Sequence, residues 1–190
     1  MSELCEIRWH GRGGQGVVTA AQLLAQSALV EGKHFQSFPE FGPERMGAPI
    51  RAFSRVSADQ INLYCNVDNP NMVVVLDPTL IGQVNLTEGL AEGGAVIVNT
   101  LEDPAAVKKK LGVKNGKVFT VDASKIAKEE IGRAIPNTPM LGALIKASGV
   151  LNLDTVSKHL RDSFGGKFSP EVVEGNVKAL TRAYEEVRAA

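Results

Sequence analysis

A three-layer α/β/α fold with a mostly parallel sheet and a helical C-terminal third is predicted by three features of the sequence. Strand-like and helix-like segments alternate through the first two-thirds of the chain. The run Met72-Val73-Val74-Val75-Leu76 lacks any apolar–polar alternation, as a strand covered on both faces requires. From Thr138 onward only helical spacing of apolar residues is found.

The elements follow in order. Residues 5–9 read as a first strand, ending in the glycine-dense turn His10 to Gly16. Residues 17–29 read as a helix, with Ala20, Leu23, Leu24 and Ala28 at helical spacing and Gly32 as its stop. Residues 33–38 read as a second strand. Pro39, Gly42, Pro43, Gly47 and Pro49 punctuate an ordered loop that also carries Glu40, Glu44 and Arg45. Residues 50–56 alternate, which suits a strand with one face well buried, and Ile61 to Tyr64 is expected to pair with it. Residues 71–77, 95–99 and 117–121 are the parallel core. Asp103-Pro104 and Asp122 open two intervening helices by N-cap logic. The last third is expected to hold no strand, only helices opening at Thr138-Pro139, Asp154 and Ser169-Pro170. The last of these aligns Val172, Val173, Val177, Leu180 and Tyr184 on one stripe.

Composition narrows the function. The 190 residues suit a single domain spanning residues 1–190. Hydrophobic residues at 44% and charged residues at 22% exclude disorder. Twenty-one basic residues balance 21 acidic ones, which leaves no electrostatic footprint for nucleic acid or an anionic membrane surface. Cys5 and Cys65 are too few for a disulfide framework or a cluster of their own, and Cys65 reads as a buried apolar thiol. Met1-Ser2-Glu3-Leu4 has no signal-peptide character, and a cytoplasmic location is expected. His10, His34 and His159 lie in separate elements without metal-ligand spacing, so no metal is expected; His10 suits a hydrogen-bonded or surface role and His159 a solvated one.

Gly11-Arg12-Gly13-Gly14-Gln15-Gly16 matches G-x-G-x-x-G between a strand and a helix. In a dinucleotide-binding fold such glycines let backbone amides approach a pyrophosphate, and an acid about 20 residues on holds the ribose. That region reads His34-Phe35-Gln36-Ser37-Phe38, without a carboxylate. Three readings stay open: ordinary NAD binding, glycines chosen for a tight turn and close packing, and an anion site for another phosphate-bearing ligand. No G-K-[ST] follows, which excludes a P-loop, and no G-x-S-x-G nucleophile elbow occurs. The chain does not read as a self-sufficient enzyme.

The run Ile7-Arg8-Trp9-His10-Gly11-Arg12-Gly13-Gly14-Gln15-Gly16-Val17-Val18-Thr19-Ala20-Ala21 resembles the start of the gamma subunits of the pyruvate:ferredoxin oxidoreductase (pyruvate synthase) family. The segments Phe38 to Pro49, Asn137 to Ala143 and Gly166 to Glu171 with Asn176 are similar to further signatures of that family, in the same order. The sequence departs at Met46, where arginine is common.

The resemblance implies a subunit of a 2-oxoacid:ferredoxin oxidoreductase, a hetero-oligomer of anaerobic metabolism. That complex converts a 2-oxoacid, most simply pyruvate, and coenzyme A to acyl-CoA and carbon dioxide while reducing ferredoxin. It also implies thiamine diphosphate, Mg2+ and [4Fe-4S] clusters on other chains, with alpha, beta and delta (ferredoxin-like) subunits as partners. Within this chain, Gly11, Arg12, Gly13, Gly14, Gln15 and Gly16 are the candidate contacts to coenzyme A. Phe41, Gly42, Pro43, Glu44, Arg45, Gly47, Asn137 and Met140 are the candidates for an interface or active-site loop. Turn and loop are expected to share one face at the carboxyl ends of adjacent strands. A stand-alone Rossmann-like nucleotide-binding protein is the alternative.

Overall fold

The computed structural model describes residues 4–40 and 47–190. One seven-stranded sheet runs in the order β2-β3-β1-β4-β5-β6-β7. Its strands are β1 (Cys5–Arg12), β2 (His34–Pro39), β3 (Pro49–Ser57), β4 (Met72–Val75), β5 (Ala95–Asn99), β6 (Lys117–Val121) and β7 (Arg188–Ala189). Strands β1, β4, β5 and β6 are parallel neighbours, flanked by antiparallel β3, β2 and β7.

The unalternating run of β4 has the anticipated cause. Met72, Val74 and Leu76 join the larger core, while Val73 and Val75 join a second cluster with Val96, Val98 and Val118. The larger core lies under α1 (Val17–Val30), α3 (Ala123–Ile131), α4 (Asn137–Ser148), α5 (Leu153–Phe164) and α6 (Pro170–Glu186). The second face is covered more thinly, by α2 (Pro104–Leu111), the 3-10 turn Pro78–Leu80 and the segment carrying Leu86 and Leu90. No helix among the described residues is long and apolar enough to cross a membrane.

Five expectations are corrected. Strand β1 runs to Arg12 rather than stopping at Trp9, because Gly11 and Arg12 pair with Ile50 and Pro49 of β3. Strand β3 is buried on both faces from Ala52 onward. Its second face is closed by Phe38, whose ring lies 5.3 Å from that of Phe53, and by residues 63–66. Ile61 to Tyr64 forms no strand: Gln36 donates to the Leu63 carbonyl (2.9 Å), and Arg55 holds the following residues through the Asn66 carbonyl (3.1 Å). That position leaves Cys65 exposed, not buried, with Sγ 3.7 Å from the Arg55 guanidinium. Finally, the last third does contain a strand. Backbone bonds between Val118 and Ala190 seat β7 on the open edge of β6, and two residues are too short to show any periodicity.

Charges taken into this face are paired. Arg55, 1% exposed, binds Glu6 at 2.7 Å and Gln36 at 3.0 Å. Arg8 donates to the backbone carbonyls of Leu86 (3.2 Å) and Glu88 (2.5 Å), fastening the covering segment to the sheet. On the opposite face the buried indole of Trp9 donates to Ser54 Oγ across β1 and β3 (3.0 Å).

Helices α4 and α6 approach so closely that a Cβ at Gly142 would lie 2.0 Å from the Leu180 carbonyl oxygen. Gly142→Ala is therefore expected to cost about 3 kcal/mol, since only backbone movement relieves the clash. Equilibrium urea unfolding would measure this, and a change below about 1 kcal/mol would contradict the close approach.

Candidate functional site

The glycine turn closes at the carboxyl end of β1, where the sheet passes from antiparallel to parallel neighbours. Its glycines do different work. A Cβ at Gly11 would sit 2.5 Å from Val17 and 3.3 Å from Leu76, so this position is needed for strand–helix contact. Gly14 has φ +95° with open space around it. Gly16 adopts φ +76° as the residue preceding α1, and a Cβ there would strike the Asn137 side chain at 2.7 Å.

Arg12 and Gln15 turn back onto the protein. The Arg12 backbone N–H donates to Gln15 Oε1 (2.8 Å), and Gln15 Nε2 donates to Asp77 Oδ2 (2.8 Å). The Arg12 guanidinium is shared among Asp77 (3.3 Å), Thr79 (3.0 Å), Gln83 (3.0 Å) and the Gly47 carbonyl (3.2 Å). Asp77, 8% exposed, is the centre of this cluster. Burial alone would push its carboxyl up. Hydrogen bonds from the Thr79 side chain and backbone and from Gln15, with the Arg12 charge, hold it below the usual carboxylate range instead.

The expected meeting of turn and loop is present where the loop is described. Gly13 N–H donates to the Ala48 carbonyl (3.0 Å), and Gly47 N–H returns to the Gly13 carbonyl (3.3 Å). Phe41, Gly42, Pro43, Glu44, Arg45 and Met46 lie outside the described residues. Phe38 is half-buried on Phe53, with the Arg55 guanidinium 5.6 Å from its ring centre.

Asn137 opens α4 against Gly16. Met140, expected at an interface or active-site loop, is instead fully buried in the larger core, one helical turn into α4.

Beneath the turn lies a cavity of about 580 Å³. Its walls combine Gly14, Gly16 and Thr19 with Ile135, Phe164 and Phe168. The two rings meet edge to face at 5.2 Å. Arg133, Asn137, Lys167 and Asn176 supply the polar groups. Asn176 is committed: it accepts from Thr138 (2.9 Å) and donates to the Val172 carbonyl (2.8 Å), joining α4 to α6. Apolar walls with a few convergent polar groups are the general form of a small-molecule site. Arg133 and Ile135 were not singled out by motif. Lys167, Phe168 and Asn176 lie in the last family-like signature, and only the fold brings them under the turn.

His10 is 3% exposed and accepts a hydrogen bond from Arg8 Nε at its Nε2 (3.1 Å), as the hydrogen-bonded reading expected. Burial, with the charges of Arg8 and Arg51, lowers its pKa to about 3. His159 is half-buried, not solvated, and contacts Ser163 Oγ at 3.0 Å. Among the described residues, no group of three or more His, Cys, Asp or Glu could hold a metal ion.

Two predictions follow from this geometry. His10 is neutral when folded and free to take a proton when unfolded, so the unfolded state gains protons as pH falls below about 6.5. Wild type should lose about 2 kcal/mol between pH 7 and pH 5 through this group, and His10→Gln, which can still accept from Arg8, should lose less by about that amount. Urea unfolding at the two pH values tests it; parallel slopes would refute a buried neutral imidazole. Arg12→Ala should cost about 1–2 kcal/mol, screened because the cluster is partly exposed, and loosen the turn. Melting temperature and exchange of the Gly13 and Gly47 amides would show it.

Comparison with known proteins accords with this architecture. Residues 6–186 match the family model described as pyruvate ferredoxin/flavodoxin oxidoreductase. The chain is 51% identical to a Thermotoga maritima protein named pyruvate synthase subunit PorC, over 96% of this chain and 94% of that one. It is 46% identical to a Thermococcus litoralis protein named pyruvate/ketoisovalerate oxidoreductases common subunit gamma, over 96% and 97% of the two chains. The crystal structure of pyruvate oxidoreductase subunit PORC from Thermotoga maritima superposes with TM-score 0.87 at 47% identity, covering 99% of each chain. The fold alone is shared with the Magnetococcus marinus 2-oxoglutarate:ferredoxin oxidoreductase, at TM-score 0.78 and 22% identity over 97% of this chain and 31% of that one. The chain belongs to the pyruvate ferredoxin/flavodoxin oxidoreductase family.

Proposed function

We propose that this chain is the gamma subunit of a multi-subunit 2-oxoacid:ferredoxin oxidoreductase acting on pyruvate. The observation that carries this reading is 51% identity, across nearly the whole of both chains, to a protein named as a pyruvate synthase subunit. In the proposed reaction pyruvate loses carbon dioxide, its acetyl group passes to the sulfur of coenzyme A, and two electrons pass to ferredoxin. Thiamine diphosphate, Mg2+ and [4Fe-4S] clusters would be held by the alpha, beta and delta (ferredoxin-like) chains. The family assignment disfavours the alternative of a stand-alone nucleotide-binding protein.

The chain's own contribution is assembly and a contact to coenzyme A at the turn. Of Gly11 to Gly16, the geometry favours Gly14 and Gly16 for that contact, because they face the cavity while Gly11, Arg12 and Gln15 are engaged within the protein. Gly47, bonded to Gly13, and Asn137, seated against Gly16, frame the same end of the molecule. A second substrate reading has its own support: a relative named as common to pyruvate and ketoisovalerate enzymes suggests a gamma chain that does not itself select the 2-oxoacid.

Anaerobic affinity purification of the chain from its native cell, with mass spectrometry and assay of several 2-oxoacids, tests these readings. The expected result is co-purification of larger cofactor-bearing chains, with ferredoxin reduction dependent on coenzyme A and fastest with pyruvate. A chain recovered alone, from extracts in which other complexes survive, would overturn the subunit assignment.

A further inference from the structure

The two edges of the sheet are finished differently. On one side β7 closes β6. On the other, β2 pairs with β3 alone and ends the sheet. The bond from the Glu40 N–H to the Arg51 carbonyl (3.0 Å) sets the phase of that ladder. Even-numbered residues of β2 therefore bond to β3, and the backbone N–H and C=O groups of Phe35 and Ser37 point outward. Among the described residues, none bonds to them. An edge of this kind is ordinarily blunted by a lysine, an inward charge, a bulge or a covering segment. The register of β2 on β3 runs without a bulge, and His34-Phe35-Gln36-Ser37-Phe38-Pro39 contains no Asp, Glu, Lys or Arg.

Apolar groups gather beside this edge instead. Nine large hydrophobic side chains are exposed among the described residues, and five of them, Leu29, Val30, Phe35, Leu63 and Tyr64, belong to β2 or to the segments adjoining it. Leu29 and Val30 end α1, two residues before the turn into β2, and Gln36 holds the Leu63 carbonyl. Tyr64, 96% exposed, stands at the rim of an open groove of about 390 Å³ between β2 and residues 63–66.

The charges near the edge are paired within the chain: Glu31 with Lys33, Glu6 with Arg55 and Glu40 with Arg51. A neutral edge offers little to a charged partner, yet it is complementary to itself, because an identical edge brings no like charge against it. We propose that β2 is a self-association edge, on which a second copy of this chain adds its own β2 antiparallel about a two-fold axis. In a pairing centred on Gln36, each Phe35 N–H meets the partner's Ser37 carbonyl and each Ser37 N–H the partner's Phe35 carbonyl, so every outward donor is satisfied. Phe35 then stands opposite the partner's Ser37 on one face of a continuous sheet, and Pro39, which has no N–H, falls outside these bonds. The inference does not rest on the gamma-subunit reading; within such an assembly the pairing joins two complexes through this chain.

Sedimentation of the purified chain from micromolar to millimolar concentration tests this, together with amide exchange in β2. The expected result is a monomer–dimer equilibrium in which the Phe35 and Ser37 amides gain protection as the dimer fills. Ser37→Pro removes an outward N–H and no ladder bond. It should raise the dimer Kd about thirtyfold, the size of two lost interface hydrogen bonds, and leave the melting temperature of the dilute chain unchanged. Phe35→Lys, which brings like charges to the same junction, should also weaken the dimer and serves if Ser37→Pro fails to fold. A chain that stays monomeric throughout would overturn the proposal, as would a dimer whose Kd neither substitution changes. Protection of the two amides that arises only when a different chain binds would overturn it as well, and would assign the edge to that chain.

Discussion

The Asp77 carboxylate is the point on which the upper end of the molecule depends. It stands at the carboxyl end of β4 and accepts from the Thr79 backbone and hydroxyl, from Gln15 and from Arg12. One anion thereby ties the first strand's turn to the segment following its parallel neighbour. Gln15 passes the constraint on by accepting from the Arg12 backbone, and Gly13 extends it to Ala48. The turn is rigid because its polar side chains are spent inside the protein. Gly14 and Gly16 are left facing the cavity beneath the turn.

The division between two faces of the sheet follows from a different constraint. Five helices share the larger core, held close by glycines at their crossings: a Cβ at Gly175 would lie 2.4 Å from the Glu130 carbonyl, much as Gly142 meets Leu180. The thinner face relies on arginines reaching across the strands to carbonyl groups. Arg8 and Arg55 are both nearly inaccessible, and each is fully engaged. A buried guanidinium is tolerable only on those terms. Hydrophobic burial organises one side, and hydrogen-bonded charge supplements a smaller apolar cluster on the other.

How much of this could be read from the sequence depends on how local each signal is. The β4 run, the N-caps at Asp103 and Asp122 and the glycine stop after α1 are encoded within a few residues, and all are present in the structure. The burial of β3 on both faces was not legible, because Phe38 and residues 63–66 reach it only through tertiary contact. Ile61 to Tyr64 has strand-like composition, yet it forms no ladder, and its Leu63 carbonyl accepts from the Gln36 side chain instead. At the site, the motif located the turn but not the partners of its charge: nothing local to Arg12 reveals Asp77, Thr79 and Gln83, which lie more than sixty positions away. Arg133 has no motif at all, and only the folding of α3 and α6 around α4 places it opposite Gly16.

The burial of Trp9 has a spectroscopic meaning. It is the chain's sole tryptophan, inaccessible in β1 and hydrogen-bonded to Ser54 on the neighbouring β3. Its emission therefore reports one location, two residues before the first glycine of the turn. With the indole shielded from water in the folded chain, a red shift would mark separation of β1 from β3. Emission that holds steady while the chain docks onto other chains would show that its centre passes into the assembly undisturbed.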